Sequence, residues 1–229
     1  MCGRFTIAKT EAEIASRFRA DVSEGVHLNA RYNVAPTQDI PIILGSVSGT
    51  PRLVIMKWGF VPPWATPEKP ITLINLRSDT LQSKPAFKKY LLQSRCIVPA
   101  DGFYEWATEG KVKVPYRFVM KEGLFGLGGL FRSAKDKDGN EVLTCCLITT
   151  KANSVVSKVH DRMPVIISPA FESAWLNPTS LPTDYISCLA PYSPETMSAY
   201  EVSRNLNTAK NDSPDLIQPV NGKGLKEFG

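Results

Sequence analysis

Apolar residues in this chain fall into short runs separated by turn-forming residues, and the period of each run predicts its element. Thr10-x-x-Glu13 forms a capping box ahead of Ile14 and Phe18, which predicts an amphipathic helix. Asp39–Leu44 and Arg52–Trp58 read as strands joined by a Gly/Ser-rich turn, and Ile71–Arg77 as a third strand. Pro85–Arg95 has helical spacing, with Phe87, Leu91 and Leu92 inward and Lys88 and Lys89 outward. A β-rich block follows: Cys96–Val98, Phe103–Ala107, Val114–Val119, Leu124–Phe131 and Glu141–Thr150. Its last two strands are joined through the hairpin signal Lys137-Asp138-Gly139-Asn140. Short helices are predicted over Asn153–Lys158, Pro169–Leu176 and Thr183–Leu189, with a late strand at Ser198–Ser203.

Eighteen prolines and fifteen glycines in 229 residues keep these elements short. No internal repeat or low-complexity linker divides them. The expected fold is therefore one α+β domain, residues 1–220, with a mainly antiparallel, barrel-like β-sheet flanked by short helices. The polar stretch 221–229 is expected to be a disordered tail.

Composition narrows the setting. The first twenty residues carry Arg4, Lys9, Glu11, Glu13, Arg17 and Arg19 with no apolar run, unlike a secretory signal. No stretch approaches the roughly 18 apolar residues of a membrane span. The default is a cytoplasmic monomer with no membrane partner. Five scattered cysteines do not suggest a disulfide framework. Without a C-x-x-C and with only two histidines, neither a metal site nor a cofactor is expected. Cys96, Cys145, Cys146 and Cys188 read as core thiols. The net charge of +5 is compatible with a polyanionic partner but selects none.

Polar residues interrupt apolar runs at a few positions. Asn75 and Arg77 share one face of a predicted strand. Glu105 lies among aromatics that would raise its pKa by desolvation, and His160 precedes an apolar strand-like run. Each has a structural alternative: Asn75 as a turn cap, Arg77 paired with Asp79, Glu105 in an ion pair, His160 ending a helix. Together with Arg162 they also supply an amide, a carboxyl, an imidazole and two guanidiniums, the inventory of an aldehyde-trapping or acyl-transfer site beside a phosphate backbone. Cys2 is the candidate nucleophile. Removal of Met1 would give it a free α-amine beside its thiol, a pair able to close a thiazolidine on an aldehyde or to attack an acyl carbon. A buried, inert Cys2 is the alternative. Aromatic and basic residues interleave from Met56 to Trp64, followed by Lys84, Lys88, Lys89 and Arg95. That pattern suits sequence-independent single-strand binding. Trp58 reads as core, and Trp64 as exposed.

The motifs Met1-Cys-Gly-Arg-Phe, Arg31-Tyr-Asn-Val-Ala-Pro36, Trp58-Gly-Phe-Val-Pro-Pro-Trp64, Asn75-x-Arg77, Arg95-Cys-Ile-Val-Pro-Ala-Asp-Gly-Phe-Tyr-Glu-Trp106, His160-Asp-Arg-Met-Pro164 and Asp215-Leu-Ile-Gln-Pro219 together resemble the SOS response-associated peptidase (SRAP) family of abasic-site processing proteins. They follow in order from residue 2 to about 220. Leu76 and Asp79 stand where alanine and glutamate are expected, which leaves Asn75 and Arg77 in place.

The resemblance implies that mature Cys2 forms a thiazolidine with a ring-opened abasic site in single-stranded DNA and so shields it from strand cleavage in the DNA damage response. It implies that Asn75 orients the Cys2 terminus. Glu105 would serve as general acid/base in Schiff-base chemistry, and His160 would promote opening of the deoxyribose. Arg4, Arg77 and Arg162 would hold phosphates, and Trp64 would stack or wedge the strand. Lyase-type chemistry and self-removal of Met1 come with the same implication, as does association with the nucleoid. Two other readings stay open: an N-terminal-nucleophile cysteine peptidase or amidohydrolase, and a non-catalytic module that binds damaged DNA.

Overall fold

A computed structural model describes residues 2–46, 49–66, 68–135 and 138–220. Met1, Lys137 of the hairpin turn and the expected tail 221–229 lie outside the described residues.

The chain opens with strand β1 (Phe5–Ile7) and helix α1 (Glu11–Phe18), then β2 (Asp21–Val22), β3 (Arg31–Val34), β4 (Asp39–Leu44), β5 (Arg52–Trp58) and β6 (Asn75–Arg77). Helices α2 (Ser78–Ser83) and α3 (Pro85–Gln93) lead into β7 (Arg95–Ala100), β8 (Gly102–Glu109), β9 (Val112–Met120), β10 (Phe125–Lys135) and β11 (Glu141–Lys151). The last part holds β12 (Arg162–Pro164), β13 (Ile166–Ile167), α4 (Glu172–Leu176), α5 (Pro182–Tyr185) and β14 (Met197–Glu201).

Five strands form one sheet in the order β14-β9-β8-β1-β3. The other follows β12-β11-β10-β7-β4-β5-β2, with β6 pairing β11 and β13 pairing β10. Strand pairing is antiparallel apart from β2–β5, β5–β11 and β6–β11. The α+β, mainly antiparallel and barrel-like expectation therefore holds. No helix among the described residues is long and apolar enough to cross a membrane.

Helix α1 starts as its capping box dictates. Glu13 N–H donates to Thr10 Oγ1 at 3.2 Å, and Thr10 N–H donates to a Glu13 carboxylate oxygen at 2.9 Å. Two otherwise orphaned amides are satisfied reciprocally. Ile14 and Phe18, one turn apart, are the buried face.

One main core fills the space between the sheets, with Trp58, Trp175, Phe5, Phe60, Phe103 and Phe118 fully buried. Truncating any of these rings to Ala would cost about 3–5 kcal/mol. A smaller cluster of Tyr104, Val202, Leu206 and Leu216 covers the opposite face of β8.

Strand β1 is clamped at one end. The Asp101 carboxylate accepts from Thr6 Oγ1, from Ala8 N–H at 3.0 Å and from the Arg117 guanidinium at 3.3 Å. Arg117 lies against Gly102, where a Cβ would meet its Nε at 2.6 Å, so only glycine leaves room for the guanidinium.

Several sequence expectations are corrected. The strand expected over Ile71–Arg77 shortens to Asn75–Arg77, because Leu73 makes only an isolated bridge with Phe60. In α3, Tyr90 takes the buried position and Leu92 is half-buried. Asn153–Lys158 is a single tight turn over Val156–Lys158, because the Asn153 side chain caps the Val155 and Val156 amides. Arg95 is not part of a basic surface. It is buried, donates to the carbonyls of Leu91, Leu92, Trp175 and Asn177, and lies over the Tyr185 ring at 3.9 Å. Its guanidinium caps the C-terminal end of α3.

Candidate active site

The site begins where the β1–β8 ladder runs out. Tyr104 N–H donates to the Arg4 carbonyl at 3.0 Å, one step beyond the Phe5–Phe103 pair. That register carries the N-terminal segment along β8 toward Glu105.

Cys2 is fully buried, and its carbonyl accepts from Asn75 Nδ2 at 2.8 Å. Asn75 reaches it because β6 runs parallel to β11, with Asn75 opposite Leu147. The residue before it is fixed twice: the Ile74 carbonyl accepts from Trp58 Nε1 at 2.9 Å and from Leu147 N–H at 3.0 Å. The other end of the amide, Asn75 Oδ1, is buried with no hydrogen-bond partner among the described residues. A buried acceptor in that condition is costly, and it belongs to the group that grips Cys2.

Glu105 is 2% exposed, and burial pushes its carboxyl up to about 7. At neutral pH such a group both gives and takes a proton readily. Burial also pushes the Cys2 thiol far above its ordinary value, and the nearby Glu105 charge adds to that. The thiol is therefore held protonated beside a carboxyl that can relay its proton.

His160 closes the turn capped by Asn153, its N–H donating to the Val156 carbonyl at 2.9 Å. Burial holds its imidazole below the usual value, while Asp161 opposes the shift. The Arg162 N–H donates to His160 Nδ1 at 3.0 Å, which in the neutral ring leaves the proton on Nε2.

The expected phosphate ligands divide into separate groups. Arg77 and Arg162 are neighbours: burial lowers the Arg162 pKa, the Arg77 charge adds to that, and Asp79 and Asp161 oppose it. Arg162 donates to the Thr149 carbonyl at 2.6 Å and is 6% exposed. Arg77 is exposed and forks onto Asp79, 2.7 Å at its closest, so that structural alternative is realised. Arg4 has a different set of partners, donating to Asn33 Oδ1 at 2.7 Å and to the Leu206 carbonyl at 3.0 Å.

Trp64 is 43% exposed and meets buried Phe87 of α3 edge-on, with ring centroids 5.4 Å apart. Lys84 and Lys88 are exposed on the same helical segment. The structure thus joins Trp64 to this basic face through Phe87.

Three supporting residues escaped the sequence reading. Asn33 is fully buried, accepting from Arg4 and donating to the carbonyls of Leu206, Thr208 and Asn211. Asp101 and Arg117 form the clamp on β1. Arg117 did carry a signal, as the one charged residue in the apolar run Val114–Val119.

Residues 1–209 match the family described as SOS response associated peptidase (SRAP). The chain is 44% identical to the abasic site processing protein YoqW of Bacillus subtilis over 224 residues, covering 95% of this chain and 99% of that protein. It is 31% identical to the abasic site processing protein HMCES of Gallus gallus, over 82% of this chain and 66% of that one. A crystal structure of a Bacteroides thetaiotaomicron protein superposes with a TM-score of 0.83 at 30% identity, covering 95% of this chain and 99% of that one.

Proposed function

The chain belongs to the SOS response associated peptidase family, and from that premise we propose that it is an abasic-site processing protein that captures ring-opened abasic sites in single-stranded DNA through Cys2. It acts as a monomer on nucleoid DNA. The observation that carries this reading is the Asn75 amide gripping the Cys2 carbonyl at 2.8 Å. That bond fixes the backbone from which a mature α-amine would project, and leaves the buried Asn75 Oδ1 as an acceptor for the amine.

Chemistry starts once Met1 is gone. The neutral α-amine, with a reference pKa of about 8, adds to the aldehyde carbon. Loss of water gives a Schiff base. The Cys2 sulfur then adds to the imine carbon, and its proton passes to the nitrogen through the Glu105 carboxyl. Amine, thiol and aldehyde become thiazolidine plus water. Closure removes the imine that would otherwise promote elimination of the 3′ phosphate and strand cleavage. His160 donates to the sugar ring oxygen during opening, Arg77 and Arg162 hold flanking phosphates, and Trp64 stacks a base. Arg4, tied to Asn33 and Leu206, braces the N-terminal segment.

The test is a denaturing gel of protein with verified mature Cys2 and single-stranded DNA bearing one abasic site. A covalent band is expected for the parent. Cys2→Ala should convert it to cleaved strand, and an extra N-terminal residue should abolish it. No covalent band with the parent overturns the proposal.

A further inference from the structure

His160 Nδ1 has two neighbours that cannot both use it in the same way. The Arg162 N–H donates to it at 3.0 Å, while the Asp161 carboxylate Oδ1 lies 2.9 Å from the same nitrogen. The first contact needs a lone pair on Nδ1. The second needs a proton there. We propose that Asp161 is a positioning residue of this site: it takes over Nδ1 from the Arg162 amide when the ring protonates, and holds Nδ1–H while Nε2 gives its proton to the opening sugar. This inference rests on the abasic-site reading above.

The step balances without a further reactant. The C1′–O4′ bond breaks, its electron pair goes to O4′, and O4′ takes the Nε2 proton. The anomeric hydroxyl loses its proton to solvent as the aldehyde forms. The imidazole is left neutral with its proton on Nδ1, and solvent returns a proton to Nε2. A carboxylate on the far nitrogen stabilises the charged ring and the tautomer that remains.

Other charges reach His160 from neighbouring elements. Lys113 of β9 acts against its protonation, as does the amino terminus of the chain. Lys113 is held by donating to Thr108 Oγ1 at 2.6 Å. Asp161 also feels Glu105 of β8 and Arg77 and Arg162 of β6 and β12, while Asp79 of α2 faces the two guanidiniums. One exposed carboxylate thus sits among the site's acid, base and cations. Its side chain is 86% exposed, so neutralising it leaves the core untouched.

The chain has only two histidines, which makes a direct test clean. NMR titration of the imidazole Cε1–H signals reads His160 with His27 as internal control. Asp161→Asn should lower the His160 midpoint by a few tenths of a pH unit, the scale of an exposed ion pair. Lys113→Gln should raise it, Asp161→Glu should restore it, and His27 should not move. The acid limb of the crosslinking rate against pH should shift in the same direction as the midpoint. An unmoved His160 midpoint in Asp161→Asn overturns the inference, even if adduct still forms. Absence of any adduct with the parent would instead sink the abasic-site reading and leave the titration result standing.

Discussion

The Trp58 indole N–H donates to the Ile74 carbonyl at 2.9 Å, so a fully buried ring fixes the residue that precedes Asn75. Core packing and site geometry meet in that bond. Trp58→Phe removes the donor and part of the ring. Leu147 N–H still satisfies the carbonyl, so the cost is one hydrogen bond plus a small cavity, about 2–3 kcal/mol. Urea denaturation should show a lower midpoint with an unchanged slope. Crosslinking at a temperature where the variant remains folded should slow as well, because Asn75 is less firmly held. A slope change would mean that the core had loosened more widely.

Asn75 itself should behave differently. Its side chain contributes one hydrogen bond to the Cys2 carbonyl and carries a buried unpaired oxygen, so truncation removes a benefit and a penalty together. Asn75→Ala is expected to leave thermal stability within about 1 kcal/mol of the parent. It should slow crosslinking roughly tenfold, the equivalent of about 1.4 kcal/mol in the barrier. Asn75→Asp should be slower still, since a carboxylate would oppose the Cys2 carbonyl oxygen. Gel-resolved adduct formation over time, beside a melting curve, separates the two effects.

These two residues also mark where sequence was informative and where it was not. The capping box of α1 was legible because Thr10 and Glu13 make it locally. The arms of β4, β5, β10 and β11 were legible because each is long enough to show an apolar run. Strands β1, β2, β3, β12 and β13 have two to four residues each, and partners distant in sequence define them. The parallel pairing of β6 with β11 left no local trace, yet it delivers Asn75 to Cys2. Arg95 looked like surface charge because nothing nearby in sequence announces the four carbonyls that bury it. Cys2, Asn75, Glu105 and His160 were singled out as polar or reactive groups in apolar surroundings and through the motifs around them. Asp101 and Asn33 carry no local signal of what they hold, and only tertiary contacts reveal them.

Glu105 makes stability depend on pH with a definite sign. Its folded pKa of about 7 lies above its ordinary 4.5, so the native state binds more protons than the unfolded chain between those values. Stability from this group therefore falls as pH rises from about 4.5 to 7 and levels off above that. Glu105→Gln should abolish this part of the decline and be more stable than the parent at pH 8, by on the order of a few kcal/mol. The same variant should lose most crosslinking activity, because an amide cannot relay the thiol proton. Denaturant titrations at pH 5 and pH 8 check the first half. Equal pH dependence in parent and variant would remove Glu105 as the source.

The exposed face built on Trp64, Lys84 and Lys88 should affect binding without affecting the fold. Trp64 is 43% exposed and meets Phe87 edge-on, so Trp64→Ala is expected to change stability little. A base stacked on that indole is worth about 1–3 kcal/mol, which corresponds to at least a several-fold drop in affinity for undamaged single-stranded DNA. Lys84→Ala and Lys88→Ala should weaken binding by a different route. Removing one lysine–phosphate pairing releases one fewer counterion and should flatten the plot of log affinity against log salt by about 0.7. Fluorescence anisotropy with a labelled oligonucleotide across a salt series distinguishes the two. Trp64→Ala should lower affinity at every salt concentration with the slope preserved, whereas the lysine variants should converge on the parent as salt rises. If the lysine variants keep the parental slope, the strand does not run across α3, and the basic face has to be sought around Arg77 and Arg162 alone.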